Sequence, residues 1–287
     1  MTDVWTVDKI LSWTINHFKT KKVSEPRLSA ELLLSKVLNM KRIDLYLQFE
    51  RILSGKERDQ FREYVKRRAR REPVQYILGE TEFYGFPFKV SPAVIVPRPE
   101  TELLVDAVLE TFKSANNTSL KILDIGTGSG CISVSLAKVL PDLSIWAIEK
   151  SAEALNIARA NADINEVTIH FVEGDIFKDV SSFPTKFDIV VSNPPYVALR
   201  DLYNLEPEVR DFEPKEALFA GEDGLEFYKK FVNVIPDLLN KNGKIFLEIG
   251  YNQSSILEKL YSKANYKVQL KKDYNQIDRI LILERKN

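Results

Sequence analysis

Lys121-Ile122-Leu123-Asp124-Ile125-Gly126-Thr127-Gly128-Ser129-Gly130-Cys131 joins a short apolar run to a turn with a glycine at every second position. Residues 121–125 read as a strand, and the glycines let the backbone turn tightly and approach a ligand closely. Ligands of open α/β sheets bind outside the C-terminal ends of the strands, where such a loop lies. The dinucleotide fingerprint Gly-x-Gly-x-x-Gly does not fit, because Cys131 fills its third glycine position. A glycine-rich turn with no ligand is the alternative.

The pattern extends outward from this loop. Strands are predicted at 121–125, 144–148, 168–172, 187–191, 244–249, 266–270 and 279–283, with helices between most of them. Alternating strands and helices build a mostly parallel sheet covered on both faces. An α/β domain, Rossmann-like and seven-stranded, is therefore expected over residues 100–287. Its Asp-x-Gly-x-Gly-x-Gly spacing at 124–130 resembles the cofactor loop of class I methyltransferases, which use S-adenosylmethionine. The resemblance implies that Gly126, Thr127, Gly128, Ser129 and Gly130 border the amino-acid part of that cofactor.

Three more strand ends carry signals. Glu149 closes the second strand, about 20 positions past the glycines, where an acid reaches a ribose diol in dinucleotide folds. A carboxylate suits that task because it accepts hydrogen bonds from both hydroxyls. Gly174-Asp175-Ile176-Phe177 follows the third strand. In methyltransferase sheets the corresponding loop reaches the adenine, which implies Ile176 against the ring. Ser192-Asn193-Pro194-Pro195-Tyr196 follows the fourth strand. Its prolines fix the backbone, so the Asn193 amide oxygen and the Pro194 carbonyl become two aimed acceptors, matched to the two N–H bonds of a planar NH2 group. Pro195 and Tyr196 complete the expected substrate side, and Asn193 is expected to border the cofactor as well. Amide nitrogen is a poor nucleophile because its lone pair is delocalised. Pinning both N–H bonds in line with the methyl donor supplies proximity and electrostatic help, without a strong general base.

The rest of the chain differs in character. Residues 1–77 read as a helical bundle, with Thr6 as an N-cap ahead of Val7, Ile10, Leu11, Ile15 and Phe18. A second helix opens at Pro26, and a short apolar piece contains Ile43, Leu45 and Leu47. Ser54 and Glu57 have capping-box spacing ahead of Phe61, Tyr64, Val65 and Ala69. Residues 78–99 form a connector, with a hairpin around Phe83-Tyr84-Gly85-Phe86 and then Pro97-Arg98-Pro99, which fits neither a helix interior nor a central strand.

The chain has 287 residues, 44% of them hydrophobic and 29% charged, which excludes a disordered or collagen-like chain. No run of about 20 apolar residues is present, so no membrane association is expected. Met1-Thr2-Asp3-Val4-Trp5 lacks a basic stretch ahead of an apolar core, so a cytoplasmic protein without a signal peptide is expected. The single cysteine excludes an intrachain disulfide, and with only His17 and His170 it cannot complete a Cys/His zinc set; that count leaves a carboxylate-ligated ion open, and no metal ligand is assigned. Cys131 reads as packing filler, and the two histidines as structural or surface residues. The net charge is zero, but residues 1–77 hold 17 basic and 10 acidic side chains. Lys66, Arg67, Arg68, Arg70 and Arg71 concentrate that excess at one helix end, which suggests either an acidic partner or a solvated basic face.

Asn-Pro-Pro-Tyr after the fourth strand resembles methyltransferases of planar nitrogen, both DNA adenine methylases and protein glutamine methyltransferases. Further segments resemble the release factor glutamine methyltransferase (HemK/PrmC) family over nearly the whole chain. They are Pro26-Arg27-Leu28-Ser29-Ala30-Glu31-Leu32, Arg71-Glu72-Pro73-Val74-Gln75-Tyr76-Ile77-Leu78-Gly79, Val96-Pro97-Arg98-Pro99-Glu100-Thr101-Glu102, Phe212-Glu213-Pro214 and Leu247-Glu248-Ile249-Gly250. A sister enzyme of a ribosomal protein typically has Pro-Arg-Ser-Pro where this chain has Pro97-Arg98-Pro99-Glu100. The resemblance implies N5-methylation of the Gly-Gly-Gln glutamine of class I release factors, with the bundle docking on the factor and the chain acting as a monomer. The alternatives are the ribosomal-protein enzyme, a DNA adenine N6-methyltransferase and a cofactor-binding adaptor. Nucleic acid is not expected as substrate, since the C-terminal part is acidic, and the intact motif argues against an adaptor. Three departures stand out: Glu149 replaces a common Asp, Ile176 replaces a larger residue in some members, and residues 273–279 lack an expected glycine.

Overall fold

Thr6 starts the first helix as its N-cap, its hydroxyl accepting from the Lys9 N–H, and α1 runs over Val7–Thr20. The computed structural model describes residues 4–113 and 120–286; the first three residues of the stretch read for a signal peptide lie outside the described residues. Pro26 occupies the first turn of α2 (Pro26–Leu38), where its missing N–H costs nothing. A short α3 (Arg42–Leu47) follows. The reciprocal Ser54–Glu57 capping box then opens α4 (Gly55–Ala69). A brief α5 (Val74–Leu78) stops at Gly79, which has φ +75°. Val7, Phe18, Leu33, Leu34, Leu45 and Phe61 fill the core of this bundle. The apolar piece around residue 45 is only partly core: α3 turns Leu45 inward but leaves Ile43 61% and Leu47 77% exposed.

Next comes the hairpin β1 (Glu80–Phe83) and β2 (Phe86–Lys89). Tyr84 and Gly85 between them both have positive φ, as a two-residue primed turn demands. Along the chain then lie α6 (Pro99–Lys113), β3 (Lys121–Ile125), α7 (Cys131–Val139), β4 (Ser144–Glu149), α8 (Ala152–Ile164), β5 (His170–Glu173) and β6 (Phe187–Ser192). They are followed by α9 (Pro207–Phe212), α10 (Lys215–Leu218), α11 (Glu226–Leu238), β7 (Leu239–Glu248), α12 (Ser254–Lys263), β8 (Tyr266–Lys272) and β9 (Asp278–Arg285).

The seven strands form one sheet in the order β5-β4-β3-β6-β7-β9-β8. The first five are mutually parallel, and β9 runs antiparallel to both its neighbours. Successive residues face opposite sides, so each inner strand serves two cores. Leu123, Ile245 and Leu281 pack with Tyr228 and Phe231 of α11 on one side. Ile122, Phe246 and Ile282 pack with Leu104 and Val108 of α6 on the other. Burying each such side chain contributes about 1.5–3 kcal/mol. The strand expected at 244–249 begins five residues earlier, because Leu239 already pairs with Phe187 before the register shifts. The missing glycine between β8 and β9 is replaced in two ways. Gln276 takes φ +62°, and the Asp273 carboxylate accepts from the N–H groups of Asn275 and Ile277.

The chain divides into two compact units. One comprises Met1–Gly79 together with Glu206–Phe212; the other comprises Glu80–Leu205 and Glu213–Asn287. Sequence placed residues 206–212 in the C-terminal domain, whereas α9 supplies the first unit with a buried counter-charge. Glu208 accepts from Arg68 at 3.0 Å and from Arg71 at 2.8 and 2.5 Å. The basic cluster is therefore not one continuous exposed face: Arg68 and Arg71 turn to Glu208, while Arg70 stays exposed. Arg68 is only 3% exposed, Arg67 pairs with Glu72, and Lys66 pairs with Glu63.

Candidate active site

The glycine loop owes its shape to bonds beneath it. Gly126, Gly128 and Gly130 have φ of +68°, +55° and +79°, which side-chain-bearing residues rarely adopt. Under the loop, the Thr127 hydroxyl donates to Asp124 at 2.6 Å and lies 2.9 Å from the Ser133 hydroxyl. Asp124 is fully buried, and burial pushes its carboxyl up to about 6. The β4 end reaches across as well. One Glu149 oxygen accepts from the Gly128 N–H and the other from the Ser151 N–H, both at 2.9 Å. Each oxygen keeps a further lone pair for a ligand hydroxyl.

Ser192 at the end of β6 donates to the Ile125 carbonyl at 2.7 Å, which brings the Asn-Pro-Pro-Tyr turn beside the glycine loop. A cavity of about 450 Å³ opens between them, a volume typical of small-ligand sites. Gly126, Gly128, Glu149, Ile176, Asn193, Pro194 and Pro195 all line it. Four of the expected residues stand behind the wall instead. Thr127 is tied to Asp124, and the Ser129 carbonyl accepts from Asn161. Gly130 packs on Ala158, where an added Cβ would lie 3.2 Å from the alanine Cβ. Tyr196 is held through its carbonyl, which accepts from Gln253, and burial pushes its phenol well up.

Sequence reading assigned no role to two further walls. Val94 and Ile95 of the connector form one. The other comprises Pro214, Ala217, Phe219, Phe227 and Lys230, with the Lys230 ammonium 5.9 Å from the Phe177 ring centre. A backbone bridge between Val197 and Phe219 draws this second wall to the site, and the family-like segments Phe212-Glu213-Pro214 and Ala217-Leu218-Phe219-Ala220-Gly221 were its legible trace. Below Asn193 lies a buried chain of polar groups. The Asn193 NH2 donates to the Thr101 hydroxyl at 3.0 Å, and Thr101 donates to the Glu248 carboxylate at 2.7 Å. Burial pushes Glu248 up to about 7, against the hydrogen bond from Thr101 and the charge of Arg279.

A sheet of this order, with its cavity at the carboxyl ends of the parallel strands, defines a class I methyltransferase. The fold is similar to a methyltransferase from Pyrococcus furiosus, 22% identical with a TM-score of 0.52, over 71% of this chain and 91% of that one. Residues 9–79 match the PrmC N-terminal domain and residues 100–205 the methyltransferase small domain. The chain belongs to the release factor glutamine methyltransferase family. It is 40% identical to the release factor glutamine methyltransferase of Geobacter sulfurreducens, over 97% of this chain and 96% of that protein. Against the enzyme of the same name from Chlorobaculum tepidum it is 43% identical, over 96% of each.

Proposed function

We propose that this protein transfers a methyl group from S-adenosylmethionine to the side-chain nitrogen of the glutamine in the Gly-Gly-Gln loop of class I release factors. The observation that carries the reading is the pair of acceptors at the β6 end, set on the wall of one cavity with the glycine loop and Glu149. The cavity fits the methyl donor. Glu149 offers the ribose its free lone pairs, buried Ile176 offers the adenine an apolar surface, and Gly126 and Gly128 leave room for the amino-acid part. When bound, S-adenosylmethionine supplies an electrophilic methyl group on a sulfonium.

The remaining work belongs to the protein. The Asn193 amide oxygen and the Pro194 carbonyl accept the two N–H bonds of the substrate amide. That fixes the plane of the nitrogen and aims its lone pair. Positive charge grows on nitrogen during transfer, and two oxygen dipoles already in place meet it, which lowers the barrier without reorganisation. Tyr196 packs beneath the turn and keeps both acceptors in position. No strong base is needed, because the proton is lost after the C–N bond has formed and the N–H has become acidic.

Labelled methyl transfer tests this directly. Four acceptors are compared: a release factor, the same factor with its Gly-Gly-Gln glutamine replaced by alanine, a ribosomal protein and an adenine-containing duplex. Label is expected in the unaltered factor alone. Transfer to the alanine-substituted factor, or preferential labelling of the ribosomal protein or duplex, would overturn the assignment.

A further inference from the structure

Asn193 can accept a substrate N–H only if its amide is turned the right way, and the two ends of a carboxamide are so alike in shape that only their hydrogen bonds decide which faces the substrate. The chain beneath it removes that freedom. Thr101 and Glu248 are each only 2% exposed. The Thr101 hydroxyl has one proton, and it donates that proton to Glu248. Its oxygen can then only accept, so it takes the Asn193 NH2 and would repel the Asn193 oxygen.

We propose that Glu248, acting through the Thr101 hydroxyl, is a positioning residue that holds the Asn193 amide oxygen toward the substrate nitrogen. The inference rests on the acceptor role given to Asn193 above. Neither residue touches the reacting atoms; their effect passes through the direction of one hydrogen-bond chain. The groups acting on the Glu248 carboxylate come from several elements. Arg279 on β9 favours its ionised form and Glu100 on α6 opposes it, while the Tyr196 hydroxyl donates toward it. From α11, Tyr228 binds the Glu248 carbonyl. A protonated Glu248 can donate to Thr101, which frees the Thr101 proton for the Asn193 oxygen. The amide then turns over and presents NH2 to the substrate NH2, donor against donor. Its carboxyl, pushed up to about 7, titrates where this reversal would be visible.

The test uses the full-length enzyme on an intact release factor. Thr101→Val is expected to lower kcat about 100-fold, the scale of one lost preorganised contact. Its KM for the factor and its cofactor affinity by calorimetry should stay within about twofold of wild type. Thr101→Ser, which keeps the hydroxyl, should restore most of the rate. In wild type kcat should rise with pH through about 7. In Glu248→Gln, which cannot titrate, that rise should vanish. Asp124 also titrates near the loop, so survival of the rise in Glu248→Gln would assign it elsewhere and overturn the proposal. Thr101→Val turning over within about threefold of wild type would do the same. If Thr101→Val fails to bind cofactor, Thr101→Ser and the Glu248→Gln pH profile decide the matter. A wild-type enzyme that labels no release factor would refute the proposed function instead, a result separable from both.

Discussion

Glu208 and Glu248 are both buried carboxylates, yet their surroundings set them to opposite purposes. In the first unit Glu208 lies between two guanidinium groups. Burial works against its ionisation, but the hydrogen bonds from Arg71 and Arg68 outweigh that and hold its carboxyl below the usual range. Glu248 in the second unit has only neutral donors in contact and Arg279 as the favourable charge, so burial prevails and pushes it up to about 7. The arginines of Glu208 make it a support of the bundle. The neutral partners of Glu248 make it a cost to folding, set against the direction that, on our proposal, it gives the Thr101–Asn193 chain.

The largest effect should come from breaking the supporting pair. Glu208→Ala strands Arg68 in the interior and should destabilise the protein by about 3–5 kcal/mol. Denaturant unfolding checks this, and an intact stability would mean that Arg68 finds another partner. Cofactor affinity at low temperature should survive, because every residue assigned to the cofactor lies in the other unit. Asn193→Ala reverses that profile. Methyl transfer should fall by about 10²–10³, with stability and much of the cofactor affinity kept. Near-normal turnover would remove Asn193 from the acceptor role.

Glu248→Gln sharpens the comparison, because it should remove the pH dependence of turnover and add stability. The folded pKa of about 7 lies above the ordinary 4.5. The folded state therefore binds a proton that the unfolded state has lost, and wild-type stability declines as pH rises from about 4.5 to about 7. At pH 8 the glutamine variant should be more stable by on the order of 3 kcal/mol. Below about pH 4.5 the gain should disappear. Glu208 has the opposite sign: its contribution is present above the unfolded carboxylate value and is lost as pH falls through its lowered folded value. Melting curves of the two variants across pH would expose this contrast, and parallel curves would contradict it. The smallest effect is expected for Glu149→Ala, a loss of about 1.5–3 kcal/mol in S-adenosylmethionine binding by calorimetry. Part of that loss would reflect the Gly128 N–H left without its acceptor.

What sequence could reveal follows the same division between local and distant. Period, capping and glycine spacing are local, so six of the seven strands were legible to within two residues at either end, and the Ser54–Glu57 box to the residue. The start of β7 was not, because Leu239-Asn240-Lys241-Asn242-Gly243 reads as a turn until Phe187 pairs with it. In the site, Asn193 and Glu149 announce themselves at strand ends. Thr101 and Glu248 stood inside family-like motifs, but they lie 92 residues before and 55 after Asn193, and nothing local says that they meet it. The arginines at 68 and 71 looked surface-bound for the same reason, since their partner Glu208 is settled by tertiary packing.

The Arg68–Glu208 pair also puts a timetable on biosynthesis. Glu208 is translated 140 residues after Arg68, an interval of roughly 7–28 s at elongation rates of about 5–20 residues per second. Throughout that time the nascent bundle has a guanidinium destined for its interior and no anion to receive it. The first unit, most of which is made well before α9, is thus finished late. Its completion reports that the chain has been read past the Asn-Pro-Pro-Tyr turn, so a truncated product would be left with an unsealed bundle exposed to quality control.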